Sequence, residues 1–170
     1  MNDTSTIQAL VDRNDIIDVA IRYAWALDTR DWDLFGRCVT DEVLFSSPLS
    51  ADGWIKFKRS DMVKICNGMF PQFTATQHIS ANHKVAISGD EATCVCGMHA
   101  THYVADKEGG STQRQVGHYE YHLARTAEGW KIDRMTQVIT WEEGNQAVFY
   151  DAYEKSGFAQ VVEEVIARSQ

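Results

Sequence analysis

Asp28 is an acid where a hydrophobe belongs. Leu10, Ile17, Ile21 and Ala24 step by sevens, fours and threes along one helical stripe, and Asp28 is the next position on it. A carboxylate facing a core is costly unless paired. His78, within Thr76-Gln77-His78-Ile79-Ser80-Ala81-Asn82, is the best candidate partner. An aspartate that accepts from one imidazole nitrogen fixes the tautomer and raises the basicity of the other nitrogen. Such a pair is a general base that can take a proton from carbon beside an electron-withdrawing group, an effect of about 10²–10⁴-fold in rate. Elimination also needs help at a leaving group or a developing enolate. Tyr23 offers a hydroxyl donor for that work and Arg134 a cation.

Each of these residues has a plainer reading. Asp28 can be a surface acid at a fraying helix end. Thr76, His78, Ser80, Asn82 and Lys84 share one strand face, which alternation alone marks as solvated. Tyr23 can be a core aromatic, Arg134 an ion-pair partner of Asp133 or of a helix acid, and Asn82 a backbone partner. Of the other histidines, His102 shares parity with Cys94, Cys96, Met98 and Ala100, whereas His99 lies opposite with Val95, Gly97 and Tyr103. Either can contact a substrate. His118 and His122 read as structural or exposed; their i, i+4 spacing is a metal pattern on a helix but falls in an expected strand, so no metal site is expected. Trp25, Trp32, Phe35, Phe45, Trp54 and Phe70, with Met62 and Met69, are candidates for the wall of an apolar pocket, and Trp25 is counted with His99, His102 and Asn82 as substrate-binding.

The elements that must position these groups follow from periodicity. A long amphipathic helix, N-capped within Thr4–Thr6, runs to about Asp28 or Thr29. Asp31 then caps a short helix from Trp32 to about Val39, which leaves Asp28 without a capping duty. Short strands are expected at Glu42–Phe45 and Trp54–Phe57, with a loop opening at Ser47-Pro48. A third helix starts at Ser60 or Asp61 and closes near Gly68 before Phe70-Pro71. The period then changes to two: Thr76–Ser88, Ala92–Val104, Gln115–Arg125 and Trp130–Trp141 form an antiparallel meander. Gly89-Asp90, Lys107-Glu108-Gly109-Gly110 and Glu128-Gly129 supply its turns. Helix returns after Asn145, interrupted at Gly157. Helices first and hairpins after make one α+β domain, residues 1–170, with a pocket between sheet and helix.

Composition limits the function classes. The 170 residues are 44% hydrophobic and 11% aromatic, enough for a real core, and carry a net charge of −8 with no basic cluster. Nucleic acid and anionic membrane are thereby disfavoured as partners. Cys38, Cys66, Cys94 and Cys96 lack the spacing of common zinc or redox motifs and read as buried free thiols. No secretory leader or spanning segment is expected, which points to the cytoplasm.

Three phrases carry a resemblance: Tyr23-x-x-x-x-Asp28-x-x-Asp31-Trp32 followed by Phe35 and Asp41; Gln77-His78-x-x-x-Asn82-x-x-Val85 followed by Gly89-Asp90-x-Ala92; and Gly129-Trp130-Lys131-Ile132 with Arg134. In this order, over roughly Ile7 to Trp141, they resemble the SnoaL-like branch of the NTF2-like superfamily. The resemblance implies a cone-shaped, cystatin-like barrel: a curved antiparallel sheet wrapped around N-terminal helices, with a C-terminal helix. Within the branch the chain is most similar to the scytalone dehydratase, bile-acid dehydratase and hexachlorocyclohexane dehydrochlorinase enzymes, which eliminate water or HCl without metal or organic cofactor. That likeness implies a cofactor-independent lyase acting on a small cyclic or aromatic apolar substrate. His78 and Asp28 would form the dyad, Tyr23 would bind or polarise substrate, and Arg134 would receive a leaving anion. His99 or His102 would be a second pocket histidine. A ketosteroid-isomerase-like proton shuttle uses the same dyad. The alternative is a non-catalytic binding or assembly subunit, because many superfamily members have no catalysis. A homo-oligomer is expected, a trimer before a dimer.

Overall fold

The computed structural model describes residues 3–46 and 53–168; the loop expected at Ser47-Pro48 lies outside them. The first helix, α1 (Asp3–Thr29), is followed by α2 (Trp32–Cys38), β1 (Val39–Ser46), β2 (Ile55–Lys58) and α3 (Arg59–Met69), with a single 3₁₀ turn at Phe70–Gln72. Four long strands come next: β3 (Ala75–Ser88), β4 (Glu91–Tyr103), β5 (Thr112–Thr126) and β6 (Gly129–Gly144). The helices α4 (Ala147–Lys155) and α5 (Phe158–Arg168) close the chain, separated at Gly157, whose φ of +71° breaks the helical path.

The strands form one sheet in the order β2-β1-β6-β5-β4-β3. All pairs are antiparallel except β1 with β6, which is parallel, so the meander is as expected and β1–β2 extends its far side. β3 is left as a free edge, and α1 packs along it.

The buried face of α1 is Asp12, Ile16, Val19, Ala20, Tyr23, Ala24, Ala26 and Leu27, so of the expected stripe Ala24 is buried and Ile17 half-buried. The expected stripe is therefore rotated: Leu10 and Ile21 are exposed, and Asp28 sits at the margin of the buried face rather than within it. α1 starts at Asp3, ahead of the expected caps. It ends in a Schellman closure, with Asp31 N–H donating to Ala26 O at 3.0 Å and Arg30 N–H to Leu27 O at 3.4 Å. Arg30 takes the left-handed conformation, φ +57°, that this closure requires. Asp31 caps α2 by accepting from Leu34 N–H at 2.8 Å. Near its other end α1 is tied to the β5–β6 hairpin, since Asp12 accepts two hydrogen bonds from Arg125, at 2.7 and 2.8 Å. The Arg125 guanidinium also lies 4.3 Å over the Trp130 ring.

Bulges set which side chains face inward. One extra residue in β3, between Ala81 and Lys84, puts Asn82 at φ +55° and reverses the parity beyond it. Another in β6 inserts Asp133 between the pairs His122↔Arg134 and Leu123↔Ile132. A third lies opposite Val116 and Gly117, where a Cβ on Gly117 would meet Val138 O at 1.9 Å, so only glycine allows that approach. Curvature from these bulges wraps the inner face around α1, α3 and the C-terminal helices. Cys38, Cys94 and Cys96 are buried and Cys66 is half-buried, all as free thiols.

Candidate active site

Asp28 is the last but one residue of α1, and its carboxylate reaches across to the free edge of β3. In the β3–β4 register His78 faces Ala100, and its N–H points away from β4 toward α1. Asp28 Oδ2 accepts that N–H at 2.7 Å. Asp28 Oδ1 accepts the Thr76 hydroxyl at 2.9 Å and lies 2.6 Å from His78 Nδ1. The edge strand thus offers three donors to one carboxylate. Burial works against the Asp28 anion but is outweighed by the hydrogen bond and charge of His78, the His78 N–H and the Thr76 hydroxyl, so the carboxyl is held below its usual range. With Oδ1 as acceptor, His78 Nδ1 carries the proton and its Nε2 is bare in the neutral ring. The His78 side chain is 6% exposed and that of Asp28 16%.

A second inward row runs across the sheet. His102 pairs with Thr76 on one side and Gln113 on the other, which sets its ring edge-on to His78 with centroids 5.8 Å apart. His102 is fully buried, between the rings of Phe73 at 4.8 Å and Phe149 at 5.0 Å. Burial, with the neighbouring His78 second, lowers its pKa to about 3, against the opposing pull of Gln113 and Asp28. The ring therefore stays neutral. Its Nδ1 is 2.8 Å from Gln113 Oε1, and Gln113 and Gln115 both donate to Glu142 Oε1, at 2.9 and 3.0 Å.

Both histidines line one cavity of about 120 Å³. Tyr23 and Leu27 of α1, Tyr119 of β5, Met69 and Phe70 at the end of α3, and Phe149 of α4 supply much of the remaining wall. The Tyr23 and Tyr119 hydroxyls have no hydrogen-bond partner among the described residues. Burial is the main cause that raises the pKa of both, so they remain protonated donors. The arrangement is a mostly apolar, aromatic-walled pocket with a carboxylate-held imidazole, a neutral imidazole and two phenol donors.

A domain model described as SnoaL-like matches residues 8–136. The chain belongs to the SnoaL-like family. Its α+β architecture is the NTF2-like, cystatin-like fold. No curated protein matches this SnoaL-like chain. Among solved structures, it is similar to the Kfla4162 protein of Kribbella flavida, at 28% identity and a TM-score of 0.76, over 79% of this chain and 95% of that one. A scytalone dehydratase-like protein of Novosphingobium aromaticivorans shares 19% identity with a TM-score of 0.72, over 83% and 92% of the two chains. A hexachlorocyclohexane dehydrochlorinase of Novosphingobium barchaimii shares 14% with a TM-score of 0.70, over 84% and 96%. At these identities the last two show the fold alone.

In this SnoaL-like protein four of the eight site residues read from the sequence come together: Tyr23, His78 and His102 line the cavity, and Asp28 holds His78 from behind. The other four do not. Arg134 is exposed, because the Asp133 bulge adds a residue after the inward Ile132 and turns Arg134 out, 5.9 Å over the Trp54 ring. Trp25 is 63% exposed on the solvent side of α1. His99 follows the outward parity of Val95 and Gly97 and is exposed, while Asn82 is spent on the β3 bulge. His78 reverses the alternation reading, since its face turns inward and Ile79, on the other, is 48% exposed. His122 pairs with Asp133 at 2.6 Å, away from the cavity. Sequence reasoning missed Thr76, Gln113, Gln115, Tyr119 and Glu142. Two glutamines on the same strand parity as Tyr119, Tyr121 and Leu123 were the available signal, for an amide on an apolar face needs a partner.

Proposed function

We propose that this protein is a cofactor-independent lyase that eliminates a small leaving group from a single-ring substrate. The observation that supports it most is the closed Asp28–His78 pair, 2.6 Å apart, opening on an apolar cavity. His78 Nε2 takes a proton from carbon, the C–H electrons form the new double bond, and the leaving group departs with the electron pair of its own bond. Asp28 holds the ring and stabilises the imidazolium that forms. Tyr23 and Tyr119 donate to the developing oxyanion or to the departing group. The proton on Nε2 then passes to the expelled group or to solvent, which restores the base. A cavity of about 120 Å³ suits one ring, as engineered apolar cavities of about 150 Å³ hold benzene. The dehydratase and dehydrochlorinase relatives fit this chemistry.

3-Hydroxycyclohexanone and 3-chlorocyclohexanone test the proposal, because either elimination yields an absorbing enone. Turnover that falls about 10²–10⁴-fold in His78→Ala and Asp28→Asn is the expected result. Turnover unchanged in both variants would sink it.

An assembly subunit is the second reading, favoured by apolar side chains left open on α1 and the outer sheet face. Ile7, Leu10, Ile21 and Trp25 are exposed on the helix, and Ile79, Val95 and Trp141 on the strands. Such residues fit contact with further copies of this chain, a homo-oligomer that is compatible with catalysis. Sedimentation at micromolar concentration reads the copy number directly. A dyad that tolerates substitution in every assay, beside a stable oligomer, would favour this second reading.

A further inference from the structure

Glu142 is a half-buried acid with no place in the elimination just described, yet it holds two inward-facing amides at once. Its ionised carboxylate can only accept, so the group that Gln113 turns toward Glu142 is its Nε2 amine. The Gln113 carbonyl oxygen is therefore the atom at His102, 2.8 Å from Nδ1. A carbonyl also only accepts, which places the His102 proton on Nδ1 and leaves Nε2 bare. No described residue bonds that Nε2, and the His102 ring lines the cavity, so Nε2 is left to receive a donor there.

We propose that Glu142, acting through Gln113, is a positioning residue that fixes His102 as a hydrogen-bond acceptor for a retained hydroxyl on the substrate ring. The inference rests on reading this cavity as the substrate site, and it narrows the substrate class. An acceptor beside a departing group would oppose its leaving, so the hydroxyl that His102 receives is one the product keeps. Donors for the departing group lie elsewhere, on Tyr23 and Tyr119. A purely halogenated hydrocarbon has nothing to offer His102 Nε2 and would leave it unsatisfied in a mostly apolar pocket. The favoured substrate is a single ring with at least one hydroxyl in addition to its leaving group.

The test uses ¹⁵N-labelled whole protein with phenol and chlorobenzene as ring probes of similar size. In the wild type at pH 7, His102 should show a pyridine-type Nε2 and a protonated Nδ1. Glu142→Leu should mix the two tautomers and shift the ratio of phenol to chlorobenzene affinity by roughly tenfold against phenol. Glu142→Gln keeps an oxygen that accepts both amides, so tautomer and ratio should be rescued. A wild-type His102 protonated on Nε2 would overturn the proposal, and this measurement needs no variant to fold. So would a Glu142→Leu protein with unchanged tautomer and ratio. None of these readouts requires turnover: absence of elimination removes the lyase reading alone, and absence of the tautomer removes this inference alone.

Discussion

Replacing His102 with phenylalanine removes a buried imidazole that takes a proton far less readily in the folded protein than in the unfolded chain. The folded ring titrates at about 3, and the unfolded ring at about 6.5. As pH falls below about 6.5 the unfolded chain gains a proton that the native state refuses. Stability contributed by this group is thus complete above that range and is lost as pH drops toward 3. Between pH 7 and pH 5.5 the loss is about 1.2 kcal/mol, and each further pH unit adds about 1.4 kcal/mol until the folded ring itself titrates. His102→Phe carries a pH-independent cost of its own, since Gln113 Oε1 loses its donor, a penalty of about 1–3 kcal/mol. The diagnostic quantity is consequently the slope. Urea unfolding of both proteins at pH 7, 6 and 5.5 should give a wild type that weakens more steeply, with the two curves converging by about 1.2 kcal/mol. Parallel losses would mean that His102 titrates normally in the folded state, and the neutral-acceptor argument would fall with it.

Three other outcomes follow from the same geometry. Asp28→Asn and His78→Ala should each lower elimination about 10²–10⁴-fold, and the double variant should be no worse than the poorer single, because the two act as one unit. Arg134→Ala should leave kcat/KM within about twofold, for the side chain lies on the exposed face beside Trp54; a loss near a hundredfold would return it to the site. Asp12→Ala should lower the unfolding free energy by about 1–2 kcal/mol in urea titration, since Arg125 loses two of its bonds and Trp130 its acceptor, while Asp90 and the Trp130 ring still hold the part-exposed guanidinium.

Legibility followed the physics of each element. The meander was readable because period-two runs were separated by glycine turns, and Asp31 was readable as a cap because capping is a local act. The α1 stripe was misread by part of a turn: Leu10 and Ile21 are apolar yet exposed, and periodicity cannot distinguish a core face from one left for another surface. Bulges were the other blind spot. One extra residue in β6 decided that Arg134 points outward, and one in β3 took Asn82 out of contention, yet a single inserted residue leaves no mark on a pattern of alternating side chains. Parity set His102 and His99 on opposite faces of β4, which carries no bulge, but alternation alone did not say which of those faces lines the pocket. The Gln113–Glu142 link joins neighbouring strands through a register that only the β5–β6 bulges define.

Why the base sits at the edge of the sheet has a physical answer in Asp28 itself. A carboxylate in the last turn of a helix faces the negative end of the macrodipole, and the last turn of α1 has no basic residue to offset it. Inside the sheet, moreover, His78 N–H would be bonded to a neighbouring strand and unavailable. Because β3 has no strand on its outer side, its free N–H, the Thr76 hydroxyl and the imidazole all converge on Asp28 and hold an anion where the helix alone disfavours one. The same convergence prevents the carboxylate from rotating, since its two oxygens are bonded in different directions. His78 is therefore presented in one tautomer and one orientation before any substrate arrives. The conflict between the helix end and its acid is local and persists only because the edge strand overrides it, as expected where a fold gives up local consistency to hold a functional group in place.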